Sequence, residues 1–309
     1  MINFRYHVVS LTAVFLALAI GLVVGTAALN GPMADSLNDS VNALAKDNKN
    51  LREQVSHLRE EVNREEDFVE EAAPRILAGT LSSRRVLVVS LPNARDYVDG
   101  VIKMLTTAGA EITARVNVED KFTNPENGVE LLDLADQAAV PSVPVANLPG
   151  NSDGVEKSAA LLGAVLLDRT PPVVSADVRA VVSAYEAAGY ISVDDKVTGA
   201  AEVVVVVAGL PYTDRESAKK NQAVVTMLTQ FDEAGKAVIA GSGVAGDGNA
   251  VSAVRGDPTL SKTISTVDNA GTSQGQLVSA LAVAEQILGG TGHYGIGAGA
   301  ESLMPRSEP

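Results

Sequence analysis

Three histidines, five methionines and one glycine-rich run are the places where this chain of 309 residues could do chemistry. There is no cysteine, which removes thiolate metal sites, iron–sulfur ligation, disulfides and cysteine nucleophiles together. His7, His57 and His293 are far apart in sequence, and none has a second ligand at metal-binding spacing. Copper(I) prefers thiolates or thioethers, yet Met1, Met33, Met104, Met227 and Met304 are dispersed. Met104 and Met227 fall within apolar helical stretches, where flexible thioethers fill core gaps. His293 is therefore the single candidate metal ligand, and no tight copper site and no resident cofactor are expected within one chain.

Gly241-Ser-Gly243-Val-Ala-Gly246 fits G-x-G-x-x-G and follows a strand-like run. That fingerprint works when glycines let the backbone approach a pyrophosphate at a helix N-terminus. Here Asp247-Gly248-Asn249 continues as a turn, so the run reads as a loop at a strand's end. H-E-x-x-H does not occur, and no catalytic residues are assigned: the chain is not expected to be an enzyme. With a formal net charge of −14 it lacks the basic footprint that nucleic-acid binding needs. The absence of Trp and an aromatic content of 4% leave no stacking platform for bases.

The element nearest the N-terminus sets the context. No Asp, Glu, Lys or Arg occurs between Tyr6 and Ala34, and Val8–Leu29 is an almost unbroken apolar run. A helix of that length reaches about 33 Å, enough to cross a hydrocarbon core about 30 Å thick. A cleaved signal peptide is the competing reading, with Gly25-Thr-Ala-Ala28 as its cleavage region. The apolar core exceeds the usual length of a signal peptide, which favours a retained single-pass anchor. Arg5 precedes the helix while Asp35 and Asp39 follow it. That asymmetry puts the N-terminus in the cytoplasm and the rest outside, with the cytoplasmic membrane favoured over an outer one.

Beyond the anchor the periodicity is that of a zipper. Leu37, Leu44, Leu51 and Leu58 take heptad position d, and Val41, Asn48, Val55, Val62 and Val69 take position a. β-branched residues at a with Leu at d favour a parallel two-stranded coiled coil, and a single Asn at a fixes register. Asp47 and Arg52 could pair between chains at g and e′, whereas Glu61 and Glu66 would repel there. The alternatives are a lone amphipathic helix or an antiparallel hairpin, neither of which requires this strict alternation. Gly31–Pro32 is expected to break the helix from the anchor and Pro74 to mark its far end. Ser36 to Glu71 would form a rod of roughly 54 Å.

From Arg85 onward, Val-rich runs alternate with helical stretches. Expected strands are Val86–Leu91, Glu111–Val118, Glu202–Leu210 and Ala237–Ala240. Expected helices are Tyr97–Ala108, Gly128–Ala138, Val155–Leu167, Asp177–Ala188, Ala218–Ala234 and Ser273–Leu288. The fold class is thus α/β: a transmembrane helix, a long coiled-coil helix and a mostly parallel, doubly wound domain. The corresponding boundaries are residues 1–30, 35–73 and 84–309, with a possible further division near residues 141–153, where Pro, Asn and Gly concentrate.

The anchor HVVSLTAVFLALAIGLVVGT (His7–Thr26), the zipper and the C-terminal GHYGIGAGAESLMP (Gly292–Pro305) together resemble the actinobacterial copper transport protein B family. The anchor and Gly292-His-Tyr-Gly295 carry the resemblance most specifically. It implies a role in keeping intracellular copper low, in proteins described as outer-membrane channels. Corynebacterial relatives are linked to cell separation, acting with a membrane partner to control a peptidoglycan hydrolase. A single helix encloses no lumen, and continuous Val runs are unlike the alternating strands of a barrel. The expectation is therefore a homodimeric envelope protein that scaffolds or regulates an envelope partner, the alternative being direct copper handling.

Overall fold

The computed structural model describes residues 4–30 and 32–306 and forms two compact units, Met1–Glu65 and Glu66–Pro309. In the first, α1 (Phe4–Asn30) contains the apolar segment Phe4–Ala27, whose mean hydropathy is 2.6. It is long and apolar enough to cross a membrane, the only such helix among the described residues. Its threonine hydroxyls are satisfied internally: Thr12 and Thr26 donate to the carbonyls of Val8 and Leu22 at 2.7 and 2.9 Å. In hydrocarbon no water could do this for them.

Helix α2 (Pro32–Ile76) follows. The expected break lies at Gly31–Pro32, and Gly31 is outside the described residues. At the other end the expectation is corrected: Pro74 lies inside the last turn and the helix ends at Ile76. A proline this close to the C-terminus forfeits little beyond the bond its missing N–H would have made.

The second unit holds β1 (Arg85–Ser90), α3 (Arg95–Thr107), β2 (Glu111–Val118) and the one-turn α4 (Asp120–Thr123). Next come α5 (Gly128–Ala138), α6 (Gly154–Leu166), α7 (Ser175–Ala187), β3 (Ile191–Val193) and β4 (Val203–Ala208). The chain closes with α8 (Ser217–Ala234), β5 (Ala237–Gly241), α9 (Ala250–Gly256), β6 (Ser265–Val267), α10 (Ser273–Leu288) and β7 (His293–Tyr294). The strands form one sheet in the order β3-β2-β1-β4-β5-β6-β7. Every neighbouring pair is parallel except β2 with β3.

All residues of β4 are buried, although successive side chains point to opposite faces, so the sheet is covered on both sides. Helices α3 and α10 pack together on it, and α6 packs against α5 and α8. A Cβ on Gly100 of α3 would displace the end of the Gln276 side chain of α10. Met104 and Met227 are buried in the core. The end of α2 belongs to this unit: Ala73 is buried, and Lys103 pairs with Glu70 at 2.8 Å.

Three strands lie outside the sequence expectation: β3, β6 and β7. They have three, three and two residues, and β6 and β7 are Ser-Thr-Val and His-Tyr. Runs so short and polar show no strand periodicity until a neighbour supplies the ladder.

Candidate functional site

The C-terminal Gly-His-Tyr-Gly segment, the most specific part of the sequence, folds onto the end of the sheet. His293 is buried on β7, and both ring nitrogens are engaged. Nε2 is 3.1 Å from the Ser261 carbonyl, which can only accept, so Nε2 carries the proton. Nδ1 then accepts from the Thr266 hydroxyl at 2.9 Å, while that hydroxyl accepts from Arg255 Nε at 2.9 Å. This tautomer is the one the network requires. Burial is the largest cause pushing the imidazole pKa below its ordinary value of 6.5, so the neutral ring is favoured.

Arg255 continues the network. Its guanidinium donates to the carbonyl of Tyr294 at 2.7 Å and that of Ala298 at 3.0 Å, and it pairs with Asp268 at 2.8 Å. Asp268 is fully buried and accepts the backbone N–H groups of Ile296 and Gly297 at 2.8 and 3.0 Å. Tyr294 donates its hydroxyl to the Glu285 carboxylate of α10. Burial first, and then that carboxylate, raise the phenol's pKa. Gly295 has φ of 129°, and a Cβ there would overlap the Asp268 carboxylate. The segment is thus a clasp, each residue of which has a packing or hydrogen-bonding role. Sequence reading singled out His293 but missed Arg255, Asp268 and Glu285, which come together only across β6, α9 and α10.

The glycine run has its own local reasons. Gly241 ends β5 where a Cβ would lie 2.8 Å from Val251 Cγ2, and one on Gly243 would lie 2.6 Å from Leu210 Cδ2. After the turn, Asn249 caps α9 by accepting from the Val251 N–H at 2.8 Å. The strand order reverses direction between β1 and β4, where a doubly wound sheet usually opens its ligand crevice. Here the Asn93 side chain ties the two loops together, accepting from the Gly209 N–H at 3.1 Å and donating to the Leu210 carbonyl at 2.5 Å, beside a hollow of about 420 Å³ lined by Tyr97, Leu210 and Tyr212.

The zipper residues fall into two groups. Leu37, Val41, Leu44, Leu51, Val55, Leu58 and Val62 are all exposed, between 46% and 68%. Asn48 is exposed in the same stretch. Val69 differs, being half-buried against the α/β core. The same heptad phase places Ala72 and Ile76 next, and these line an apolar groove of about 250 Å³ with Phe68, Leu277, Ile296 and Met304. His57 is solvent-exposed on α2. Among the described residues, no three His, Asp or Glu side chains cluster closely enough to hold a metal ion.

A family model described as "Copper transport outer membrane protein, MctB" matches residues 1–305. The chain belongs to this family. Curated proteins named "Copper transporter MctB" in Mycobacterium bovis and in Mycobacterium tuberculosis strain H37Rv are each 29% identical over 98% of this chain and 99% of their own. The protein of that name in Mycobacterium leprae is likewise 29% identical, over the same shares. The sequence resemblance through the anchor and the Gly-His-Tyr-Gly segment is therefore correct at the level of family. Within this family member, the segment that carries the resemblance is built into the fold's end, and His293 has its ring nitrogens committed.

Proposed function

We propose that the protein serves copper handling at the cell envelope as a membrane-anchored dimeric scaffold, which acts by holding a partner rather than by conducting or chelating the metal itself. One observation carries this reading: the a and d positions from Leu37 to Val62 form an apolar stripe exposed along one chain. Exposed leucines and valines in strict heptad phase are the face that a second helix covers in a parallel coiled coil. Asp47 and Arg52 support the parallel alignment, and Arg5 supports a cytoplasmic N-terminus with the α/β domain outside. The regulated partner would be an envelope protein, with a controller of peptidoglycan hydrolysis and cell separation as the specific version. Such a scaffold shifts its partner between states by binding one of them better.

The test is Leu51→Pro in the full chain. A proline in a helix interior costs about 3 kcal/mol or more, enough to break a two-stranded zipper there. The variant is expected to be monomeric in detergent by light scattering and to lose copper tolerance in cells, with the α/β domain still folded. Normal tolerance from a monomeric variant would sink the scaffold reading.

A second reading, direct copper transport, has the names of the mycobacterial relatives in its favour. Calorimetric titration with Cu(I) and Cu(II) separates the two. Saturable binding tighter than micromolar, about 8 kcal/mol, would support direct handling.

A further inference from the structure

We propose a second site, unconnected with copper: an oxyanion pocket at the end of the sheet opposite the C-terminal clasp, suited to a phosphoryl group. The pocket, about 260 Å³, lies where β1 and β4 begin, and three arginines line it: Arg85, Arg169 and Arg179. Their situations differ. Arg85 is spent, because its guanidinium makes a two-pronged pair with Asp168 at 2.9 and 2.6 Å and donates to the Ala200 carbonyl at 2.6 Å. Asp168 is the pocket's single carboxylate, and this pair consumes it. Arg169 and Arg179 have no carboxylate within ion-pair distance among the described residues. The pocket therefore carries a formal surplus of two positive charges in a chain whose net charge is −14.

What sets Arg169 and Arg179 apart is that both line one hollow. In the same unit Arg84, Arg85, Arg95, Arg115 and Arg255 all have carboxylate partners. Arg75, Arg215 and Arg306 of this unit have no such partner among the described residues either, but they do not line this pocket. Two arginines lining one hollow without a carboxylate partner among the described residues offer forked donors, a geometry that matches phosphate oxygens two at a time. Ser175 on the wall adds a neutral hydroxyl donor, and Val165, Leu167 and Val173 also line the pocket. Glu186, Asp194 and Asp195 outnumber Lys196 in the neighbouring hollow that shares Arg179, and their charge disfavours a ligand extending that way. The fit is a compact anion with one phosphoryl head, not a polyanion such as nucleic acid.

The experiment uses the full chain in neutral detergent at low ionic strength, titrated calorimetrically with inorganic phosphate and separately with glycerol phosphate. Saturable binding of either is expected, weakening at least tenfold in Arg169→Gln/Arg179→Gln and at raised salt. Arg215→Gln, which removes an exposed arginine elsewhere in the unit, is expected to bind as the native chain does. Tighter binding of glycerol phosphate would assign a phosphomonoester, and equal binding the phosphoryl group alone. Because neither pocket arginine has a carboxylate partner among the described residues, the double variant should melt at the native temperature without phosphate, and phosphate should raise only the native melting point. Absence of saturable binding overturns the proposal, as does equal weakening in Arg215→Gln. None of these outcomes touches the zipper or the copper reading.

Discussion

The imidazole of His293 has no lone pair to offer, since Nδ1 receives the Thr266 hydroxyl and Nε2 carries the proton given to Ser261. A metal would have to break one of these bonds and leave a buried polar group unpaired, a penalty of about 1–3 kcal/mol. His293→Gln should therefore lower stability by roughly that amount while leaving any copper affinity unchanged, as urea unfolding and copper titration would show. The pH dependence follows from the depressed pKa of the folded state. The unfolded chain binds the proton more readily, so this residue's contribution is complete above about pH 6.5. It declines as pH falls from there towards the folded-state value. The substitution should flatten the urea midpoint between pH 7.5 and pH 5 relative to the native chain. An unchanged slope would mean that the ring is solvated.

At the scale of elements, the clasp and the sheet explain what could and could not be read beforehand. Strands β1 and β4 were visible as nearly continuous Val-rich runs buried on both faces, and β2 and β5 as short apolar runs between helical stretches. β3, β6 and β7 were not, because each takes its conformation from a neighbour rather than from its own composition. The Arg255–Asp268 pair was equally hidden: its partners lie on different elements, and only the closed fold brings them together. Its energetics are asymmetric, because Asp268 is fully buried. Removing the arginine strands a carboxylate without its counter-charge, so Arg255→Ala should cost about 3–5 kcal/mol. Gly295→Ala should cost roughly 1–3 kcal/mol, because φ of 129° excludes a Cβ and the Asp268 carboxylate occupies its place. Both are read from thermal unfolding. Native-like melting of Arg255→Ala would show that the end of the sheet does not depend on the clasp.

The whole molecule joins two units of different physical character. The globular unit from Glu66 to Pro309 contains a continuous core into which Ala73, Leu77 and Leu81 are built. Among the described residues the preceding unit has no such core, and the leucines and valines from Leu37 to Val62 are exposed in a single chain. Dimerisation should therefore reside in the first unit and folding stability in the second. Val69 marks the boundary, because it keeps the heptad phase yet is half-buried against its own domain, so the zipper stripe ends at Val62. Glu65 would occupy the intervening d position, and Glu61 opposite Glu66 would repel between chains. A fragment spanning residues 66–309 should be monomeric and unfold in one cooperative transition independent of concentration. A fragment spanning residues 35–309 should be dimeric, with an additional transition that moves to higher temperature as concentration rises. If the shorter fragment were dimeric by light scattering, the contact between copies would lie on the α/β domain. The exposed stripe from Leu37 to Val62 would then be free for a different protein.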